Sequence, residues 1–192
     1  VASDEMYEKL IYTGAFTSAA AVSEDMFKRT VTINGLSKSV AMTGWRFGYM
    51  AAYDTEIVQA TKKLQSQSTS NINSITQYAA IAGLNGSADE DIEMMRQEFL
   101  KRRDEAVKLF NEVDGLSVLK PDGAFYLFVN IKEVSNDSLK FCKDLLSEQE
   151  VAVVPGVGFG SEGYFRFSFA TDIESIRIGI KRIEEFVKGL KK

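Results

Sequence analysis

The sequence predicts a layered α/β fold, and three observations carry that expectation. Strand-length runs of β-branched and aromatic residues, such as Thr30-Val31-Thr32-Ile33-Asn34, alternate with longer stretches of helical spacing. Apolar residues make up 45% and charged residues 26% of the 192 residues, proportions that suit a globular core with a solvated surface. The break at Asn85-Gly86-Ser87 divides the chain into two domains, residues 1–87 and 88–192. The second half has the elements of a compact sheet covered by helices. The first half has too few strands to close a large sheet alone.

The elements follow in order. Val1-Ala2-Ser3 reads as the end of a buried strand, followed by acidic Asp4 and Glu5. Residues 7–12 form a loop or short helix, and residues 18–28, with their alanines, Met26 and Phe27, hold a short helix. Two strands follow, over 30–34 and 45–52. Residues 54–67 have helical spacing through Ile57, Val58, Ala60 and Leu64, with Asp54 or Thr55 as N-cap. The polar tract 65–74 has the composition of a linker. An apolar helix pattern over 75–84 follows at once, so the tract reads as an ordered loop capping that helix. Residues 89–113 form one long amphipathic helix, with Ile92, Met95, Phe99, Val107, Phe110 and Val113 on or near one face. Arg96, Lys101, Arg102 and Arg103 form its solvated face. Asp114-Gly115 ends it. Residues 116–119 are a short strand, Pro121-Asp122-Gly123 a turn, and 124–131 an aromatic and β-branched strand. Helix 137–148 comes next, then a buried strand over 151–154 stopped by Pro155-Gly156. A strand over 164–170 and a terminal helix over 172–190, capped near Asp172, complete the chain.

Bulk properties exclude several function classes. A net charge of −4 argues against nucleic acid or an anionic membrane as partner. No apolar run approaches membrane-spanning length. The single cysteine, Cys142, cannot form an intrachain disulfide, which fits a reducing, cytoplasmic setting. It lies in a helical pattern and reads as a small buried or half-buried filler. The chain has no histidine, so histidine triads and histidine metal sites are absent. It begins without methionine and inside a strand, and reads as a fragment.

The most specific stretch is Asn34-Gly35-Leu36-Ser37-Lys38-Ser39-Val40-Ala41-Met42-Thr43-Gly44-Trp45-Arg46-Phe47-Gly48-Tyr49. One strand delivers Lys38 to a loop and a second carries Arg46 away. A lysine amine can hold an aldehyde as a Schiff base. An arginine can fix a phosphate through several charge-assisted hydrogen bonds. Gly35 and Gly44 allow close backbone approach and unusual dihedrals. A lone lysine and arginine flanking a turn would simply be solvated, whereas the whole string is far more specific.

This stretch resembles the cofactor-lysine segment of class I/II aminotransferases, and the resemblance runs the length of the chain. It implies part of the large, pyridoxal 5'-phosphate (PLP)-binding domain of a fold-type-I aminotransferase plus its α+β C-terminal small domain. The aspartate aminotransferase subgroup is the nearest match. On this resemblance Lys38 is the catalytic, cofactor-bound lysine, and Arg46 and Ser37 hold the phosphate. Ser3-Asp4-Glu5-Met6-Tyr7 resembles the family's Asp-x-x-Tyr motif. Asp4 would then pair with the protonated ring nitrogen, and Tyr7 would donate to the ring's 3-oxygen. Taken alone, Asp-Glu-x-Tyr reads as an exposed acidic turn. Phe165-Arg166-Phe167-Ser168-Phe169-Ala170 resembles the strand carrying the substrate-carboxylate arginine, here Arg166. Without the family, an ion pair between Arg166 and a nearby acid is an equal alternative.

Two turn segments, Pro121-Asp122-Gly123-Ala124-Phe125-Tyr126 and Val154-Pro155-Gly156-Val157-Gly158-Phe159-Gly160, resemble family loops of the smaller domain that border the substrate mouth. Ser68-Thr69-Ser70-Asn71-Ile72-Asn73-Ser74 is similar to a segment near the dimer interface. Three positions depart from the usual pattern. Ile72 stands where proline is common, Gly35 where some members have a phosphate-binding serine, and Phe47 where an aliphatic residue is usual. The implied substrates are an amino acid, aspartate first, and a 2-oxo acid, and the implied assembly is a homodimer. Much of the family's machinery belongs to an N-terminal half outside this sequence, so the fragment itself is expected to be inactive. Two other readings stay open. One is another fold-type-I PLP enzyme such as a C–S lyase. The other is an aminotransferase-like sensor domain of a transcription regulator.

Overall fold

In the computed structural model of the chain, which describes residues 1–191, the β-branched run before Lys38 is the central strand of a small sheet. Strand β1 (Ala2–Asp4) lies parallel to β2 (Val31–Gly35), and β2 lies antiparallel to β3 (Gly48–Ala52). A parallel pair needs a crossover. Here it contains helix α1 (Glu24–Arg29), whose first turn is held by the Ser23 hydroxyl accepting from Met26 N. The β1 strand forms as expected, but Val1 and Ala2 are exposed rather than buried.

Lys38 does not lie in a loop. β2 runs straight into the one-turn helix α2 (Leu36–Ser39), with Leu36 and Ser39 buried beneath it. A 3-10 turn, Thr43–Trp45, follows, and the next strand starts only at Gly48. Helix α3 (Thr55–Ser68) is capped by Asp54, which accepts from Glu56 N. Helix α4 (Ser74–Leu84) is capped by Asn73, which accepts from Thr76 N. The polar tract is therefore divided. Its first residues continue α3, and only 69–73 form the connecting loop.

After a turn over residues 85–88, helix α5 (Asp89–Asn111) runs unbroken to Asn111. The compact units divide inside it, into Val1–Arg96 and Gln97 onward, whereas the sequence break lies before it. The second unit is an antiparallel sheet of order β4-β5-β7-β6. Its strands are β4 (Ser117–Val118), β5 (Tyr126–Asn130), β6 (Val154–Pro155) and β7 (Tyr164–Ser168), with helices α6 (Ser138–Gln149) and α7 (Ile173–Leu190). Period-2 alternation sorts the two faces. Leu127, Val129, Phe165 and Phe167 are buried on one face. Tyr126, Phe128, Tyr164 and Arg166 alternate with them. Phe110 of α5 meets Phe167 and Phe165 edge-on, with ring centroids 5.1 and 6.0 Å away. Ile176, Ile180, Ile183 and Val187 form the buried stripe of α7, at the 4-3-4 spacing of one helical face. No helix among the described residues is long and apolar enough to cross a membrane.

Two further expectations need correction. The strand expected at 151–154 pairs only at Val154–Pro155, and Val154 is exposed. Arg103 is not solvated: it is 3% exposed. Its position lies four residues after Phe99 and seven before Phe110, which puts it on the buried side of α5. Burial is tolerated because its head is satisfied. Nη1 donates to the Pro121 carbonyl at 3.0 Å and Nε donates to Asp104 at 2.9 Å.

Candidate active site

Strand direction gathers the expected cofactor residues of the first unit at one end of its sheet. Parallel β1 and β2 point the same way, with Asp4 opposite Ile33. Two residues beyond Ile33, Gly35 ends β2 and begins the Lys38 turn. Antiparallel β3 starts at this same end, where Gly48 pairs with Gly35, so Arg46 arrives there too. Open α/β sheets bind ligands beyond the carboxyl ends of their parallel strands.

The backbone at this end is tightly specified. A Cβ on Gly35 would come within 2.8 Å of the Phe47 carbonyl oxygen and 3.1 Å of the Gly48 Cα. Only glycine fits between the two strands there. Gly44, by contrast, has open space around it and no left-handed φ. The expectation of a special backbone is met at Gly35 and fails at Gly44. The Lys38 turn is closed by Ser39 Oγ donating to the Gly35 carbonyl at 3.3 Å and Thr43 Oγ1 donating to the Ser37 carbonyl at 2.8 Å. Helix α4 rests on it, since a Cβ on Gly83 would sit 3.2 Å from Val40 Cγ2 and 3.4 Å from Leu36 Cδ1. Lys38 and Ser37 are half-buried on this turn.

Between Lys38 and β3 the chain carries two non-glycine residues in the left-handed region, Ala41 and Arg46, each at φ 55°. Such conformations cost energy and concentrate at functional sites. Arg46 is exposed, and its Nη1 donates to the Thr43 carbonyl at 2.9 Å. No carboxylate pairs with it among the described residues. It lines two open clefts of about 960 and 940 Å³. Asp4, Tyr7, Ser37 and Lys38 line neither.

Asp4 is exposed, with Oδ1 accepting from Met6 N at 3.1 Å. Tyr7 is half-buried in the turn that follows. The residue between them and the sheet is Glu5, which the sequence reading assigned no role. It is buried, and its Oε1 accepts from Ser3 Oγ, Ser18 Oγ and Ala19 N at 3.0, 2.9 and 3.0 Å. Three bonds on one oxygen pin the chain directly after Asp4.

In the second unit, Arg166 on β7 faces away from the core. It stacks between two rings, with Cζ 4.3 Å from the centroid of Tyr126 and 4.7 Å from that of Phe159. No acid pairs with it among the described residues, so the ion-pair alternative fails. Tyr126 and Phe159 were missed as its partners. Period-2 alternation puts Tyr126 on the outer face, but only the β5–β7 register, with Phe128 opposite Arg166, brings that ring alongside.

The donor set fits PLP. It offers an amine on a fixed turn, a guanidinium whose donors are engaged, among the described residues, only by a backbone carbonyl, a neighbouring hydroxyl, and an exposed carboxylate at the same sheet end. The family model "Aminotransferase class I and II" matches residues 1–183. An aspartate aminotransferase of Bacillus subtilis is 46% identical, over 98% of this chain and 49% of that protein. An asparagine–oxo-acid transaminase of Streptococcus mutans is 42% identical, again over 98% and 49%. The crystal structure of an aspartate aminotransferase from Thermotoga maritima superposes with a TM-score of 0.86 at 44% identity, covering 97% of this chain and 47% of that one. The chain thus spans about half the length of the relatives it matches. A family-model match over nearly the whole chain makes it a member of the class I and II aminotransferase family.

Proposed function

We propose that the protein carrying this chain is a PLP-dependent aminotransferase that moves the amino group of aspartate to a 2-oxo acid. The convergence of Asp4, Lys38 and Arg46 at one end of the β1-β2-β3 sheet carries the reading. Bound PLP supplies an aldehyde carbon that captures amines and a ring that accepts the electrons left on a substrate's α-carbon. The residues of this chain do the rest. Arg46 and Ser37 would hold the phosphate through charge-assisted and hydroxyl hydrogen bonds. The Asp4 carboxylate would pair with the ring nitrogen and favour its protonated form. Tyr7 would donate a hydrogen bond to the 3-oxygen. Arg166 grips the α-carboxylate with its planar fork and so orients the α-carbon. Lys38 acts twice. Its amine would hold the cofactor, and once released Nζ would be the group that moves the α-proton.

The names of the two relatives support aspartate as the donor, with asparagine as a second candidate. Within this reading the 192 residues form the C-terminal half of a cytoplasmic homodimeric enzyme and are inactive without the rest. Residues 1–87 belong to its PLP-binding domain and 88–192 to its small domain. The test is an absorbance scan of the full-length protein with PLP, followed by aspartate, asparagine and 2-oxoglutarate in turn. A lysine-linked band that bleaches with a donor and returns with 2-oxoglutarate supports the reading. A band that no amino acid moves refutes it. Lys38→Ala and Lys38→Arg should both lack the band, because neither side chain is a nucleophile at neutral pH.

A further inference from the structure

Arg166 is clamped by two rings, and one of them stands on a turn that is tied down from behind. Phe159 ends the 3-10 turn Gly156–Phe159. It also meets Phe128 edge-on at 6.0 Å, and Phe128 stacks on Tyr164 at 4.9 Å. The start of the turn is set by contact, since a Cβ on Gly156 would lie 2.3 Å from the Ser161 carbonyl oxygen. Its middle is set by a hydrogen bond, Val157 N donating to Ser138 Oγ at 3.2 Å. Ser138 opens α6 and is fully buried. Its own N–H donates to Glu162 Oε2 at 2.9 Å, and Gly163 N donates to the same oxygen at 3.3 Å. The Ser138 bonds hold the Glu162 carboxyl below the usual carboxylate range, so it is ionised at neutral pH.

We propose that Ser138 and Glu162 are positioning residues for Arg166, latching the Val157–Phe159 turn so that Phe159 and Tyr126 hold the guanidinium ready for a substrate carboxylate. The inference rests on the reading of Arg166 as the carboxylate anchor. The physical logic lies in what clamps the arginine. An acidic neighbour would occupy the N–H donors that a substrate carboxylate needs. Aromatic faces stabilise the charge and leave the N–H edge open. A long side chain held this way loses less freedom on binding than a loose one. The turn itself adds little to the core, because Val157 and Phe159 are 46% and 47% exposed. Loss of the latch should therefore be felt in binding before stability.

The test uses the full-length, PLP-loaded protein, with KM for aspartate, kcat, and inhibition by succinate as a non-reacting dicarboxylate. Ser138→Ala and Glu162→Gln should raise KM and the succinate Ki roughly three- to tenfold, the worth of one cation–π contact, with kcat within about twofold. Phe159→Leu should do the same, and Phe159→Tyr, which keeps the ring, should restore the original KM. In an Arg166→Gln background, Ser138→Ala should add nothing, because the latch acts through Arg166. An equal KM increase in both backgrounds overturns the proposal. An unchanged KM for Ser138→Ala and Phe159→Leu beside a raised KM for Arg166→Gln sinks the latch alone. An unchanged KM for Arg166→Gln sinks the carboxylate reading and the latch with it.

Discussion

Two glycines flank the Lys38 turn, and the structure gives them opposite fates on replacement by alanine. Gly35 has φ −177°, an extended value that any residue adopts, so backbone strain plays no part. The penalty is steric. The new Cβ would lie 2.8 Å from the Phe47 carbonyl oxygen, a contact that real Cβ atoms essentially never make. Restoring ordinary contact requires β2 and β3 to part by about half an ångström, overpacking that typically costs about 1–3 kcal/mol. The same oxygen accepts from Leu36 N at 3.3 Å, so the first bond of the Lys38 turn loosens as well. Reduced freedom of the unfolded chain returns roughly 0.4–1 kcal/mol. The net expectation for Gly35→Ala is a loss of about 1–2 kcal/mol, together with weaker PLP retention in the full-length protein. Gly44→Ala meets nothing within 4 Å and should be neutral or stabilising. Urea unfolding of the chain, followed by the fluorescence of Trp45, its only tryptophan, reads both changes. Equal midpoints for Gly35→Ala and the parent, or an equal loss for Gly44→Ala, would refute the steric argument.

Other expected outcomes follow from the second unit. Phe110 is fully buried between Phe165 and Phe167, so Phe110→Ala should cost about 3–5 kcal/mol in urea unfolding. A loss below 1 kcal/mol or so would mean that the aromatic core is misassigned. Burial alone would raise the Asp104 carboxyl, but bonds from Lys120 and Arg103, with their charges, outweigh it and hold it below the usual range. A depressed folded value contributes stability that is present above the unfolded pKa of about 3.9 and is lost as pH falls through the folded value. Asp104→Asn should therefore flatten the acid limb of stability below about pH 4, and urea midpoints measured across that range check it. Burial, helped by the charge of Glu162, pushes the Cys142 thiol up to about 11. Thiol reagents at pH 8 should label it only as the protein opens, and immediate labelling of the native protein would contradict that placement.

The site was legible where its chemistry is local in sequence. Lys38 and Arg46 sit in one continuous string, so their proximity needed no tertiary knowledge. The shape of the Lys38 turn did need it. Whether residues 36–39 coil or wind depends on Leu36 and Ser39 being buried and on α4 resting against them, contacts made by residues far along the chain. The two flanking glycines look alike in sequence and differ only in what stands beside them. Arg103 was readable after all, because helical arithmetic from Phe99 and Phe110 puts it on the buried side. Counting it with its charged neighbours hid that. The clamp on Arg166 lay beyond reach, because strand register and the 3-10 turn at Gly156–Phe159 come from different segments. Glu5 was visible beside Asp4, but its role appears only once Ser18 and Ala19 fold back onto it.

The central claim is that Lys38 is the cofactor lysine. Borohydride reduction of the full-length, PLP-loaded protein, followed by proteolysis and mass spectrometry, tests it directly. One pyridoxyl adduct is expected, on the peptide containing Lys38, and none in Lys38→Ala. An adduct on any other lysine, Lys62 of the neighbouring cleft included, or no adduct at all, would contradict it.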